Sequence, residues 1–306
     1  MYRFIWQTAL IAALALPRHR GVAAESTAAS DALLYEQPIA VAKTHGMLSK
    51  THDGLYARLQ SPQTLESLKQ KAAHHLSEFG QEMQATQGAR RCKVESVGSG
   101  HGVHSLCAEL KSQISSSSPC IFYSYGISHD YSFDTAMADE WGCKGVALDP
   151  SVTYSSKLHP RVTFHNIAAR TMDAKEDAQW DLVTTVPGLK KFLGHNRINV
   201  LKMDCEGCEY ALAQDILLED PEFLHSVDQL AIEIHVSQQW LKTEAQAHYL
   251  GMLYALTKDA GLRLVETVFG SCHPDHEAPG CHPVLQEAGF PCQKGMMCNN
   301  LLFDRV

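Results

Sequence analysis

The chain has 306 residues, enough for one large domain with an appendage or for two small domains. Its hydrophobic content of 45% and charged content of 20% are ordinary for a globular protein with a sizeable core. The formal net charge of −8 and the lack of any Lys/Arg run in the sequence argue against a surface that binds nucleic acid or another polyanion.

The amino terminus has the pattern of a targeting segment. A basic start at Arg3 precedes the uncharged apolar run 4–16, and small residues at 22–24 offer a cleavage site. The run is shorter than the roughly 18–20 residues of a comfortable membrane span. We predict a signal peptide over residues 1–24, with a short signal-anchor or a buried or organelle-targeting segment as alternatives. The ten cysteines fit a secretory compartment, which permits disulfides, so we expect a secreted protein or a membrane-anchored one with a lumenal domain.

Residues 25–90 are interpreted as a stem followed by one amphipathic helix. Ser61-Pro62 offers a helix start, and apolar residues recur at helical spacing from Leu65 to Met83. From residue 91 onward we predict a single domain in which apolar strands alternate with helical segments, the pattern of a mostly parallel sheet with crossover helices. The predicted strands are 120–125, 145–148, 161–168, 198–203, 229–236, 262–269 and 300–306.

Two positions after the first strands predict a ligand site. Gly126 follows strand one, and a glycine lets a ligand approach the backbone before the next helix. A dinucleotide site would need Gly-x-Gly-x-x-Gly, so a pyrophosphate is disfavoured and with it a nicotinamide-dependent oxidoreductase. Asp149 ends strand two, where a carboxylate can accept hydrogen bonds from both hydroxyls of a ribose. The alternatives are an ordinary strand-to-helix turn at Gly126 and a turn cap at Asp149.

Acidic residues cluster after strand four. Asp204 sits at the carboxyl end of that strand, where open α/β sheets bind ligands, and Glu206 follows in the loop. Glu209 falls in the first turn of the next helix, where it has an equally good structural role at the helix dipole. Glu233 and His235 lie two apart on strand five and so share a face. Asp204 or His235 is a candidate general base, or Asp204 and Glu233 hold a divalent cation; a buried ion pair with a structural histidine is the alternative.

Two cysteine patterns are discounted as metal or redox centres. Cys205-x-x-Cys208 has the spacing for zinc or dithiol chemistry but lacks a second pair at a suitable distance. The Cys and His residues at 272–282 have donors for zinc, yet cysteines of a secreted chain more often form disulfides.

Four motifs together resemble class I S-adenosylmethionine-dependent methyltransferases, in the methyltransferase-like group related to FkbM-type O-methyltransferases. They are CIFYSYGI at 120–127, GCKGVALDPS at 142–151, LKMDCEGCE at 201–209 and IEIH at 232–235. The resemblance covers roughly residues 90–306. It implies a Rossmann-like, seven-stranded, mostly parallel sheet with helices on both faces and an antiparallel last strand.

The resemblance also implies roles for individual residues. Gly126 would border the methionine part of S-adenosylmethionine, Asp149 would hold its ribose, and Asp204 would line the transfer site. Tyr125 occupies a position in the cofactor motif where Phe is usual. We therefore expect methyl transfer to a hydroxyl of a small molecule or glycan, with Glu233 orienting His235 if His235 is the base.

The expected partners follow from the same interpretation. They are a small-molecule or glycan acceptor, no nucleic acid, and a membrane only through an uncleaved amino-terminal segment. The rival interpretation is a non-catalytic secreted binding protein that keeps the methyltransferase fold.

Overall fold

The computed structural model describes residues 62–114, 119–154, 157–270, 280–292 and 297–305. The predicted leader and most of the stem lie outside the described residues, and the domain boundary at residue 91 stays a prediction. The helix predicted to start at Pro62 is present and runs to Thr86.

The described residues form twelve strands and eight α-helices. The strands are β1 (Val94–Val97), β2 (His104–Cys107), β3 (Ile121–Tyr125), β4 (Lys144–Leu148), β5 (Lys157–His159), β6 (Val162–His165), β7 (Ala168–Ala169), β8 (Val183–Thr184), β9 (Ile198–Met203), β10 (Val227–His235), β11 (Leu262–Phe269) and β12 (Cys298–Arg305). The helices are α1 (Pro62–Thr86), α2 (Glu109–Gln113), α3 (Ser132–Asp139), α4 (Ala174–Asp177), α5 (Val186–Leu193), α6 (Cys208–Glu219), α7 (Glu244–Asp259) and α8 (Pro283–Glu287).

The main sheet has eight strands in the order β11-β12-β10-β9-β3-β4-β6-β5. All seven predicted strands are in it, and strand β12 pairs antiparallel with both β10 and β11, as expected for the last strand. The eighth strand, β5, is a short edge strand that pairs antiparallel with β6. The predicted count of seven is therefore corrected to eight, because three residues of extended chain carry too little periodic pattern to be recognised.

The order in which strands are added to the sheet reverses between β3 and β9. From β3 the chain steps outward through β4 to β6, and it then returns to lay β9 on the other side of β3. All four of these strands are parallel. Such a topological switch point leaves a crevice at the carboxyl ends of the two central strands, which is where open α/β sheets bind ligands.

Alternating side chains of the central strands enter two separate hydrophobic clusters. Tyr123, Leu201 and Met203 belong to one cluster, together with residues of α1, α5, α6 and α7. Phe122 and Val200 point the other way, into a cluster with the β1–β2 hairpin and α3. Elements therefore cover both faces of the sheet, and helices lie on each, as predicted.

Helix α1, predicted as an amphipathic helix, is an integral part of this core. Phe79 stacks on Tyr254 of α7 with ring centroids 4.7 Å apart and is 1% exposed. Gly251 allows the two helix backbones to approach closely, since a Cβ there would lie 2.6 Å from the carbonyl oxygen of Ala72. This close approach fixes α1 against α7.

The cysteines of the described residues are all disulfide-bonded. The pairs are Cys92–Cys107, Cys120–Cys143, Cys205–Cys208 and Cys281–Cys292, and Cys298 is bonded as well. Cys205 and Cys281 are thus not zinc ligands here; Cys272 and its neighbouring histidines at 273 and 276 lie outside the described residues. None of the described helices is long and apolar enough to cross a bilayer.

Candidate active site

The register of the sheet brings the predicted site residues to one edge. Tyr125, at the end of β3, pairs with Leu148 of β4 and with Met203 of β9, and Met203 pairs with Ile232 of β10. The residue that follows each of these positions is therefore at the same level of the sheet. Those four residues are Gly126, Asp149, Asp204 and Glu233.

A cleft of about 260 Å³ opens at this edge. Its lining contains four acids and no Lys, Arg or His among the described residues. The lining residues are Gly126, Ser128, Asp149, Pro150, Ser151, Ala168, Ala169, Thr171, Glu176, Trp180, Asp204, Cys205 and Glu206. An acidic lining of this kind suits a ligand that is positively charged and free of phosphate groups.

Backbone strain is concentrated in the same cleft. Ser128 and Glu206 are the non-glycine residues of the described chain with positive φ, at 44° and 51°, and both line the cleft. Positive φ is costly for residues with a Cβ and persists where the surrounding structure imposes it, often at ligand sites.

Gly126 has a structural role that the sequence did not predict, while its place beside the cofactor stays a prediction. Its φ is +71°, and a Cβ at this position would lie 1.7 Å from the carbonyl oxygen of Asp204. The glycine is required because the chain leaving β3 passes directly against the chain leaving β9. It lines the cleft, but what it makes room for is the backbone of Asp204.

Asp149 caps a turn, as the alternative proposed, and also lines the cleft. One carboxylate oxygen accepts hydrogen bonds from the Ser151 amide (2.7 Å) and hydroxyl (2.6 Å), which is the turn-capping alternative. The other accepts from the Ser128 amide at 2.8 Å. The residue is 5% exposed and still borders the cleft. These bonds fix the carboxylate at the cleft wall, and its function as a ribose ligand stays a prediction.

Tyr125 lies in the core and does not line the cleft. It is 1% exposed, and burial raises the pKa of its hydroxyl well above the usual value. Only its backbone reaches the site, where its carbonyl accepts hydrogen bonds from the Asp204 amide (3.1 Å) and the Lys202 ammonium (3.2 Å). As a correction to the sequence-based role, Tyr125 supports the cleft floor and offers no side-chain contact to a ligand.

The carboxylate of Asp204 is surrounded by nitrogen-bearing side chains just beyond hydrogen-bond distance. Lys202 Nζ and His104 Nε2 each lie 3.9 Å from Oδ2, and His235 Nε2 lies 3.8 Å from Oδ1. Burial opposes ionisation, but Lys202, His235, a hydrogen bond from the Glu233 carboxyl group and His104 outweigh it and lower the pKa of Asp204. Asp204 is therefore a carboxylate at neutral pH.

His235 is held by Glu209, not by Glu233 as the sequence suggested. Its Nδ1 lies 2.6 Å from Glu209 Oε1, whereas Glu233 Oε2 is 3.8 Å from its Nε2. Burial disfavours the charged ring, yet the Glu209 charge and hydrogen bond prevail and raise the pKa of His235 to about 9. A histidine with this raised pKa holds a proton at neutral pH, which favours Asp204 over His235 as the candidate general base. This arrangement is close to the buried ion pair that was the alternative.

The same charges argue against the divalent cation proposed at Asp204 and Glu233. Lys202 and protonated His235 already supply positive charge beside Asp204, and the Glu233 side chain is hydrogen-bonded to it. A hard cation needs several free anionic oxygens, which these side chains do not provide. Cys298, whose sulfur lies near Glu233 and His235, is disulfide-bonded and offers no thiolate.

Lys202 and His104 are functional candidates that sequence reasoning missed. Lys202 is buried and donates hydrogen bonds to the carbonyls of Tyr125 and Gly126, at 3.2 and 2.6 Å. These bonds link the end of β3 to β9. A lysine inside an otherwise apolar strand could have been recognised from the sequence. His104 comes from the β1–β2 hairpin, whose strands have four residues each, too few for a recognisable apolar pattern.

Comparison with known protein families identifies the family to which the chain belongs. Residues 40–255, more than half of the chain, match the profile of the family described as a methyltransferase domain. The chain belongs to this methyltransferase family. The predicted general resemblance is thereby confirmed, while the narrower relation to FkbM-type enzymes is not.

Two curated relatives align with part of the chain. They are the proteins named "Probable methyltransferase-like protein 24" of Rattus norvegicus and Homo sapiens, each 32% identical, over 123 and 124 residues respectively. The alignments cover 38% of this chain and 33% of each relative, so the chain matches only about a third of their length.

Crystal structures of the plantazolicin methyltransferase BpumL are distant neighbours. One, in complex with a monoazolic desmethylPZN analog and SAH, is 9% identical with a TM-score of 0.31 and covers 82% of this chain and 95% of that chain. Another, in complex with SAH, has a TM-score of 0.29 at 9% identity and covers 89% of this chain and 99% of that chain. Similarity at this level carries no argument about function.

Proposed function

We propose that the protein is an S-adenosylmethionine-dependent methyltransferase whose cofactor binds in the cleft between Asp149 and Asp204. The observation that carries this proposal is the charge of the cleft, which is lined by four acids and by no Lys, Arg or His of the described residues. S-adenosylmethionine has a positively charged sulfonium and no phosphate, whereas a nicotinamide dinucleotide has two phosphates and would be repelled.

The side chains present fit the parts of this cofactor. Asp149 is fixed by Ser128 and Ser151 at one wall and would accept the ribose hydroxyls. Trp180 lines the same cleft and offers a flat apolar surface for the adenine. The ionised carboxylate of Asp204 lies at the opposite end, where it would face the sulfonium.

Bound S-adenosylmethionine supplies an activated methyl group. Methyl transfer is a direct displacement, so alignment and exclusion of water contribute much of the rate. Asp204 would accept a hydrogen bond from the acceptor and receive its proton as the bond forms. Lys202 and His235 keep Asp204 ionised, and Lys202 also fixes its position relative to Gly126. His235 and Glu233 thus act through Asp204 rather than on the acceptor.

The proposed acceptor is a hydroxyl group of a small molecule or glycan, and the proposed compartment is the secretory pathway. Four described disulfides support an oxidising compartment. The hydroxyl acceptor is suggested by the motif at 201–209. Both proposals concern this chain only, since its curated relatives match over about a third of their length.

Calorimetric titration of the disulfide-intact protein with S-adenosylmethionine and with NADH tests the proposal. We expect saturable binding of S-adenosylmethionine and none of NADH. The variant Asp149→Asn removes a charged hydrogen-bond acceptor, so its affinity should fall by about tenfold or more. Asp259→Asn, an exposed acid outside the cleft, is the matched control and should bind like the wild type. Failure of the folded wild-type protein to bind S-adenosylmethionine would contradict the proposal.

A further inference from the structure

A second cavity adjoins the cleft on the far side of Asp204. It encloses about 360 Å³ and shares Gly126, Ser128 and Asp204 with the cleft. Its other walls are the loop after β3 and the 3₁₀ turn Gly100–Gly102 between β1 and β2. A ligand in this second cavity would meet a ligand in the cleft at Asp204.

Hydrogen bonds between the hairpin turn and the loop after β3, called the latch below, hold the outer wall of the second cavity in place. Asp130 accepts from the amides of Gly102 and Ser132, each at 3.0 Å. The Ser132 hydroxyl accepts from the Ser99 amide and donates to the Ser99 carbonyl, both at 2.9 Å. The contact also requires a glycine at 102, since a Cβ there would lie 2.8 Å from Ser132 Oγ. The hairpin turn is thus fixed against the loop, and the cavity is preformed.

The charges of this cavity disfavour an anionic ligand. Its described lining contains one lysine, Lys202, and two acids, Asp130 and Asp204. Lys202 donates to the Tyr125 and Gly126 carbonyls, and Asp130 accepts the two amides of the latch. Asp204 is left to meet a ligand, and its negative charge disfavours a carboxylate or a phosphate there.

Hydrogen-bonding capacity at Asp204 indicates the kind of group that would bind. The side chain is 23% exposed, and its Lys202, His104 and His235 neighbours stop at 3.8 to 3.9 Å, which is too far for hydrogen bonds. His104 Nε2 is buried behind Asp204 and is not part of the described lining of the second cavity. A group that binds at Asp204 must donate a hydrogen bond to it, as a hydroxyl does.

From this geometry we infer that the second cavity is the acceptor site and that it takes a hydroxyl compound without negative charge. Its hydroxyl donates to Asp204 and faces the cofactor cleft. Asp204 is the catalytic residue that accepts the proton, and His104, whose Nε2 lies 3.9 Å from Asp204 Oδ2, is a positioning residue behind it. Methyl transfer forms the new O–CH₃ bond and breaks the S–CH₃ bond, while the hydroxyl proton leaves to Asp204. The inference rests on the proposed methyltransferase function and adds the acceptor's charge class and its binding site.

Matched acceptor pairs test the charge class. The protein is incubated with S-adenosylmethionine labelled in its methyl group and with four probes: methyl glucoside against methyl glucuronide, and 2-naphthol against 6-hydroxy-2-naphthoate. Each pair offers the same hydroxyl chemistry with and without a carboxylate. We expect the label on a neutral probe, in an alkali-stable ether, at a kcat/KM at least about tenfold above that of its anionic partner.

Three results would overturn the inference. They are transfer to the anionic member as fast as to the neutral one, label in an alkali-labile ester, and S-adenosylmethionine binding with no transfer to any of the four probes. Failure to bind S-adenosylmethionine at all would instead show that the proposed function fails. The two failures are therefore distinguishable.

Gly102→Ala tests the location of the acceptor. The added methyl group pushes against the latch at Ser132, so we expect a severalfold higher KM for the acceptor and an unchanged Kd for S-adenosylmethionine. Gly280→Ala is the matched control, because a Cβ there meets nothing within 4 Å. A variant that loses S-adenosylmethionine affinity and acceptor affinity in parallel would contradict a separate acceptor cavity.

Discussion

Asp204 is the residue at which the charges of the candidate site converge. Its carboxylate is ionised because Lys202, His235 and His104 surround it and Glu233 donates a hydrogen bond to it. These neighbours come from three parts of the chain: Lys202 from β9, Glu233 and His235 from β10, and His104 from the β1–β2 hairpin. The arrangement keeps one carboxylate free for a ligand while the buried charge around it is paired.

The ion pair between His235 and Glu209 should give the protein a measurable pH dependence. Burial opposes the charge on His235, but Glu209 raises its folded-state pKa from 6.5 to about 9. A raised pKa contributes stability that is complete below pH 6.5 and is lost as the pH rises through 9. The free energy of unfolding should fall by on the order of 3 kcal/mol over that range. Urea unfolding between pH 6.5 and about 9.5 measures it.

Glu209→Gln should be less stable at neutral pH and should lose most of this pH dependence, because the imidazolium loses its partner. Glu222→Gln is the matched control: Glu222 is 80% exposed, and the variant should keep the wild-type profile. Parallel pH profiles for the wild type and Glu209→Gln would contradict the assignment.

Sequence placed the acids of the site better than it placed their partners. Asp149 and Asp204 directly follow apolar strands and Glu233 lies near the end of one. Parallel strands bring their carboxyl ends together, so the proximity of the three acids was predictable. The pairing of His235 with Glu209 was not predictable. The sequence pattern places both Glu209 and Glu233 near His235, and only side-chain packing decides between them. His104 reaches Asp204 from a hairpin about a hundred positions away in the chain, a contact that no local pattern encodes.

The elements differ in how strongly their patterns specify them. Seven strands of the main sheet and helices α1 and α7 have apolar patterns long enough to be recognised. Helix α7 also begins at a capping box, with Thr243 and Gln246 each bonding the other's backbone. Strands β1, β2, β5, β7 and β8 have two to four residues each and gave no periodic signal. The hairpin β1–β2 is the most consequential of these, because it supplies His104 and one wall of the second cavity.

The contact between α1 and α7 should be sensitive to one methyl group. In Gly251→Ala the new Cβ would lie 2.6 Å from the Ala72 carbonyl oxygen and 3.1 Å from the Leu76 amide. Overpacking against backbone costs about 1–3 kcal/mol, partly offset by up to about 1 kcal/mol from the better helix propensity of alanine. We expect a net loss of about 1–2 kcal/mol in the free energy of unfolding, measured in urea. The control Gly280→Ala should be neutral, and an unchanged Gly251→Ala would show that α1 can move away at no cost.

At the scale of the whole molecule, the net charge agrees with the proposed ligand and the disulfides agree with the proposed compartment. The net charge of −8 and the acidic cleft disfavour polyanionic ligands at long and at short range. The disulfides close loops of 11 to 23 residues around the sheet, apart from the short Cys205–Cys208 link beside the cleft. Each larger bridge restricts the unfolded chain by about 3 kcal/mol in the chain-entropy account. The fold and its site thus suit an oxidising compartment, as the cysteine count alone suggested.

The proposed function depends on S-adenosylmethionine binding in the cleft between Asp149 and Asp204. A crystal structure of the protein with S-adenosylhomocysteine, the demethylated cofactor, tests this binding site directly. We expect the ribose hydroxyls within hydrogen-bond distance of Asp149 and the sulfur directed past Asp204 toward the second cavity. A ligand bound elsewhere, or one whose sulfur points away from Asp204, would contradict it.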